Sequence, residues 1–220
     1  MMVPGKQIAD VLRSPTKGNH RIHLRYETDA DLMALLFVKR HMDALGANGM
    51  ALYIEYMPYS RMDRSEDGSV FTLRYVTSFI NSLTFDKVYI LEPHSDVTAA
   101  LLDRVEVVQG STTLLNMAME LPDFDANRDY IVYPDAGAQK RYARNGQCKE
   151  LVCYKHRNFA TGRIERLDLV GTVDKPGFTA IIVDDLCSYG GTFVLTAERL
   201  RKTGASKVYL CVTHCENVVF

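Results

Sequence analysis

The sequence has no excess of charge. Against 27 Asp and Glu stand 26 Lys and Arg, leaving a formal net charge of -1, so no overall basic field marks nucleic acid as a partner. No stretch approaches the ~20 apolar residues that a membrane helix needs. The first ten residues show no apolar core followed by a cleavage site, so neither a membrane span nor secretion is expected. Cysteine is sparse and odd in number, at five. In a chain of 220 residues, long enough to bury its own core, that argues against a disulfide scaffold. Neither Cys148 and Cys153 nor Cys211 and Cys215 has the C-x-x-C spacing of a zinc knuckle. Buried, reduced thiols and a cytoplasmic setting are the expectation. Short-period repeats and low-complexity tracts are also missing.

What is present is an alternation of helical and strand patterns, which predicts an α/β fold with a largely parallel sheet. Thr28-Asp29-Ala30-Asp31 resembles a capping box. Leu32, Leu35, Leu36, Met42 and Leu45 follow at helical spacing up to Gly46. Strands are predicted over 51–57, 87–91 and 105–108, with helices over 71–83 and 97–102 between them. A junction falls at Gly110-Ser111, giving an N-terminal domain of 1–110 and a C-terminal domain of 111–220. The second half repeats the plan. Strands are predicted at 130–133, 150–154, 180–183 and 207–212, and helices at 138–144 and 193–203, the last stopped by Gly204. The polar stretch 157–175 reads as a hairpin or flap.

One segment carries chemistry: Ile181-Ile182-Val183-Asp184-Asp185-Leu186-Cys187-Ser188-Tyr189-Gly190-Gly191-Thr192. A buried strand leads into two adjacent carboxylates, then a glycine-containing loop, then a helix. Ligands of open α/β sheets sit beyond the carboxyl ends of the strands. Glycines let backbone N–H groups close on an anion, and a helix start adds free donors and a positive dipole. Ser188 and Thr192 can donate to phosphate oxygens. Asp184 and Asp185 cannot serve that phosphate, because like charges repel, but they can accept hydrogen bonds from sugar hydroxyls. A phosphate site beside a diol site describes ribose 5-phosphate. No Lys follows the glycines, so this is not a nucleoside-triphosphate P-loop.

This segment resembles the phosphoribosyl-pyrophosphate signature of the type I phosphoribosyltransferase-like superfamily. Asp184 and Asp185 match its acidic pair, and Ser188, Tyr189, Gly190, Gly191 and Thr192 match its 5-phosphate loop. Four further strand-end segments come in an order that resembles ribose-phosphate diphosphokinase, also called phosphoribosyl-pyrophosphate synthetase. They are Pro58-Tyr59-Ser60-Arg61-Met62-Asp63-Arg64, Glu92-Pro93-His94-Ser95, Tyr133-Pro134-Asp135-Ala136-Gly137-Ala138 and Tyr154-Lys155-His156-Arg157. The likeness runs from about Asp31 to His214.

That resemblance implies two tandem phosphoribosyltransferase-like domains, with largely parallel sheets flanked by helices. It implies transfer of the diphosphate of ATP to the 1-hydroxyl of ribose 5-phosphate, dependence on Mg²⁺, and assembly as a homo-oligomer. Arg61 and Asp63 would contact ATP. His94 and Asp135 would lie at the metal. Asp135, Ala136, Gly137 and Ala138 would form the diphosphate loop. Lys155 and Arg157 would be catalytic, stabilising charge on the transferred group. Diphosphoryl transfer asks chiefly for positioning and electrostatic stabilisation, which suits these residue types.

Three features depart from the family pattern. Residues 1–25 show no counterpart of the family's opening segment, Met62 stands where Gln is usual, and the sequence stops soon after Thr213-His214. They fall on the nucleotide side and leave the sugar-phosphate segment whole. Plainer readings stand beside the functional ones. Arg61 with Arg64 also reads as a solvated turn, His94 as a helix cap, and Lys155 with Arg157 as surface charge. The stripe of Tyr53, Tyr56 and Tyr59 reads as core and rim. Two other functions share the sugar loop: a phosphoribosyltransferase that consumes phosphoribosyl pyrophosphate, and a non-catalytic synthetase-like regulatory subunit.

Overall fold

The computed structural model describes residues 18–144, 146–157 and 164–216, leaving aside the side chains of 155–157 and 164–166. The chain divides into two compact units, 1–108 and 109–220.

In the first unit four strands lie side by side, all parallel, in the order β1-β2-β3-β4: His20–Leu24, Met50–Ile54, Lys87–Leu91 and Val105–Val108. Strand β1 was not anticipated. Helices α1 (Asp29–Ala44), α2 (Thr72–Ser82) and α3 (Asp96–Leu101) connect them. The start of α1 carries the expected capping box. The Thr28 N–H donates to Asp31 Oδ2 at 2.8 Å, and the Asp31 N–H donates to the Thr28 carbonyl at 2.9 Å. Alternate residues of β2 and β3, including Leu52, Ile54, Val88 and Ile90, face the core with Leu35, Leu73 and Ile80 of the helices.

The second unit opens on helix α4 (Gly110–Met119), which the spacing of apolar residues had not marked. Its sheet has the order β7-β6-β5-β8-β9: Ile164–Val170, Lys149–Arg157, Tyr130–Tyr133, Thr179–Cys187 and Lys207–Cys215. Every pairing is parallel except β6 with β7 at one edge. Helices α5 (Ala136–Tyr142) and α6 (Gly191–Thr203) complete it. The central strand β5 is buried at all four residues, as is β8 from Thr179 to Val183. A parallel strand covered on both faces needs such an unbroken apolar run.

Two boundaries move. Strand β6 runs on to Arg157, and the stretch read as a hairpin or flap contains β7, which pairs antiparallel with β6 and packs Leu167 and Leu169 on the core. Strand β8 does not end at Val183. It runs on to Cys187, because β9 also extends and stays paired through Leu186 with His214 and Cys187 with Cys215.

Candidate ribose-phosphate site

The extension of β8 decides where the two acids sit. Asp184 and Asp185 lie within the strand, not beyond it. Successive strand residues point to opposite faces, so the pair cannot act as a simple side-by-side clamp. Asp185 is buried, and its Oδ2 accepts from Arg141 Nη1 of α5 at 3.4 Å. Asp184 is half-buried, and its Oδ1 accepts from the Asp185 N–H at 3.0 Å. Burial, together with the charges of Asp185 and Asp135, raises the Asp184 carboxyl to a pKa of about 7. Ser111 of α4 fastens the strand from the other side. Its hydroxyl lies 2.7 Å from the Asp184 carbonyl and 2.8 Å from the Thr213 hydroxyl.

After β8 the chain turns through Ser188 and Tyr189 to Gly190. Tyr189 is 82% exposed. Gly190 adopts φ 74°, the left-handed conformation that only glycine takes cheaply. A β-carbon at this position would meet only Cys187 Sγ, at 3.8 Å. Backbone conformation, not space, therefore demands the glycine. Helix α6 begins at the next residue with no side-chain cap. Its first N–H groups, at Gly191 and Thr192, are the donors that bind anions at helix starts. The Ser188 hydroxyl donates to the carboxylate of Glu216, a residue not singled out beforehand.

The segment after β5 follows the same plan with a different ending. Asp135 is the N-cap of α5, and its Oδ1 accepts from the Ala138 N–H at 3.0 Å. Ala136, Gly137 and Ala138 form the first helical turn, which begins earlier than the expected 138. Lys155 and Arg157 are placed by their backbones on β6, in register with Leu167 and Ile164. Their side chains lie outside the described residues.

The remaining expected residues are in the first unit. Arg61, Met62, Arg64, Glu66, Ser69 and Thr72 line a cleft of about 570 Å³, within the range of small-molecule sites. Asp63 is buried and accepts from Arg64 Nε at 3.1 Å. Burial pushes its pKa up, but the Ser95 and Arg64 side chains and the charge of His94 outweigh it and hold the carboxyl below the usual range. His94 is exposed just after β3. Arg61, Asp63 and His94 thus gather in one unit, and Asp135 and Asp184 to Thr192 in the other.

Comparison with known proteins bears on this arrangement. The chain is 30% identical over 182 residues to a ribose-phosphate pyrophosphokinase of Pyrococcus furiosus, a match covering 78% of this chain and 62% of that one. It is 31% identical over 188 residues to one from Gloeobacter violaceus, covering 83% and 55%. Over most of its length the chain is similar to ribose-phosphate pyrophosphokinases. Its fold agrees. A phosphoribosylpyrophosphate synthetase from Mycobacterium smegmatis superposes with a TM-score of 0.74 at 22% identity, over 92% of this chain and 67% of that one. No protein-family model matches the chain. The chain spans between 55% and 66% of the length of the first three curated relatives.

Sequence reasoning passed over Arg141, Ser111 and Glu216. Arg141 stood in a predicted helix, and a cation near an acid pair was the one signal available. Ser111 and Glu216 reach the site only through the pairing of β8 with β9 and the packing of α4.

Proposed function

We propose that the chain acts as a ribose-phosphate diphosphokinase, transferring the diphosphate of ATP to the 1-hydroxyl of ribose 5-phosphate to give 5-phosphoribosyl 1-diphosphate and AMP. The observation that carries this reading is the uncapped start of α6 behind Gly190, directly after the adjacent acids of β8. In this reading the N–H groups of Gly191 and Thr192, with the hydroxyls of Ser188 and Thr192, hold the 5-phosphate. Tyr189 lies at the mouth of the loop. Asp184 and Asp185 accept from the ribose hydroxyls, and Arg141 orients Asp185.

Arg61 and Asp63 take ATP at the cleft of the first unit. Asp135 to Ala138 receive the diphosphate. Lys155 and Arg157 stabilise the charge that builds on the transferred group, a role worth on the order of 10³-fold in rate for comparable cations. The carboxylates also fit Mg²⁺, a hard cation that prefers oxygen ligands. Asp184 is raised partly by its acidic neighbours Asp185 and Asp135, a strain that a cation among them would relieve. Among the described residues no three His, Cys, Asp or Glu side chains form a complete ligand set. Mg²⁺ commonly uses one or two carboxylates plus waters and substrate phosphates. Asp135 would hold such an ion in the second unit, and His94 one in the first. Its contribution is to neutralise charge on the phosphates.

Use of ATP supports a cytoplasmic setting. Among the described residues no helix is long and apolar enough to cross a membrane. The family resemblance supports assembly as a homo-oligomer. Incubation of folded protein with ATP, Mg²⁺ and ribose 5-phosphate should release AMP in step with 5-phosphoribosyl 1-diphosphate. No AMP above background would overturn the reading.

A further inference from the structure

Cys187 and Cys215 are far apart in sequence, yet they end β8 and β9 as register partners. Adjacent strands lie ~4.8 Å apart, within the Cα separations of ~4.4–6.8 Å that a disulfide spans. The two thiols are already within hydrogen-bonding reach of each other. The backbone around them is tied as well. The Glu216 N–H donates to the Cys187 carbonyl at 2.9 Å, and the next residue after Cys187, Ser188, donates to the Glu216 side chain. Cys215 is exposed and Cys187 is buried. Cys187 Sγ lies under the anion loop, 3.8 Å from where a Gly190 β-carbon would be.

We propose that Cys187 and Cys215 are an oxidisable dithiol that closes an intrachain disulfide beneath the Ser188–Thr192 loop when the protein meets a peroxide. The exposed Cys215 reacts first. Its thiolate attacks one oxygen of hydrogen peroxide, the O–O bond breaks, and the released hydroxide takes a proton to become water, leaving a sulfenic acid. The sulfur of Cys187 then attacks Cys215. The S–S bond forms, the S–O bond breaks, and the Cys187 proton leaves with the hydroxide as a second water. Two electrons pass from the two sulfurs to the peroxide.

Burial raises the Cys187 thiol, and the nearby Cys215, Asp184 and Glu216 raise it further. This suits a resolving thiol that stays protonated until its partner is oxidised. Cys211 has Val183 as its register partner, so the ladder sets no thiol opposite it. The bond would hold Ser188 beside Glu216. On the reading of this loop as a phosphate site, oxidation then weakens ribose 5-phosphate binding by roughly tenfold, the loss of one charge-assisted hydrogen bond.

The test is peptide mapping of the full chain, reduced, exposed to hydrogen peroxide and alkylated. The expected result is a Cys187–Cys215 linked peptide, loss of two alkylatable thiols, and recovery of both with dithiothreitol. Cys187→Ser should leave Cys215 as a sulfenic acid that dimedone traps. Oxidation of Cys215 to the sulfinic acid with Cys187 still free, or a link to another cysteine, would overturn the proposal. Mass reads the link without the sugar. A reduced chain that ignores ribose 5-phosphate overturns the functional reading instead.

Discussion

Two strand-loop-helix turns of the second unit share a plan and differ at one position. After β5 the helix start is capped from within, by the Asp135 carboxylate on the Ala138 N–H. After β8 the helix start has glycine in the capping place and no side-chain partner. A capped start has already spent a donor and carries a negative charge, so it suits a site where a cation intervenes. An open start keeps its donors and its dipole for an anion. The comparison assigns opposite electrostatic characters to two loops that sequence alone makes look alike.

The largest effect should come from the acids beside the open loop. Asp184→Asn with Asp185→Asn removes two charged acceptors, each worth ~1.5–3 kcal/mol. Ribose 5-phosphate affinity by calorimetry should fall at least ~100-fold. Arg61→Ala, in the other unit, should leave that affinity within about twofold while weakening binding of a non-hydrolysable ATP analogue. Equal losses of the sugar from both variants would break the division between the two sites.

The glycines give a sharper contrast. Gly190→Ala forces an alanine to φ 74°, which costs about 1 kcal/mol and a drop of ~3 °C in melting temperature for a chain of this size. It should also displace the donors and cost roughly tenfold in ribose 5-phosphate affinity. Gly137 sits in the first turn of α5, and an added β-carbon there would meet only the Asp135 Oδ1, at 3.2 Å. That β-carbon needs the Asp135 cap to give by a few tenths of an ångström, so the gain in helix propensity is offset and Gly137→Ala should change stability by no more than ~0.5 kcal/mol. The same substitution should cost clearly more at Gly190 than at Gly137.

Much of the open loop was legible from residues. The acid pair, the need for glycine before the helix, and the stop at Gly204 follow from local chemistry that neighbours in sequence express. The partners of those residues were not. Arg141 reaches Asp185 from another helix, Ser111 reaches the Asp184 carbonyl across many intervening residues, and Glu216 meets Ser188 because β9 runs beside β8. Such contacts exist only once strand order is set. The extension of β8 to Cys187 was hidden for the same reason. Two acids look like the end of a strand until a partner strand is present to pair past them. Strand β1 went unmarked because His20, Ile22 and Leu24 give a short alternation whose value depends on β2.

The Asp184 carboxyl offers a pH test of the crowding between the loops. Its folded pKa of about 7 lies above the ordinary 3.8, so between those values the native state holds a proton that the unfolded chain has released. The stability it contributes is full below about 4 and is lost as pH rises through 7. Asp184→Asn should flatten that decline, and at pH 8 its melting temperature should exceed that of the parent by ~3 °C. Asp135→Asn removes one of the charges that raise Asp184, and should shift the decline to lower pH. Denaturation across pH 4 to 8 measures both, and identical profiles for the parent and Asp184→Asn would show that Asp184 is not strained.

The smallest effect belongs to Glu216, and its sign is the informative part. The carboxylate takes the Ser188 hydroxyl, a donor that the phosphate would use, and adds a negative charge beside an anion site. Glu216→Gln keeps an acceptor for Ser188 and removes the charge. If Glu216 competes with the ligand, affinity for ribose 5-phosphate should rise by up to ~5-fold, the range of a single partly exposed charge interaction. The gain should shrink as salt is raised and the Debye length falls to a few ångströms. Reduced affinity would mean that the carboxylate orients Ser188 toward the phosphate, and the open loop would then have a built-in positioning group of its own, as the capped loop does in Asp135.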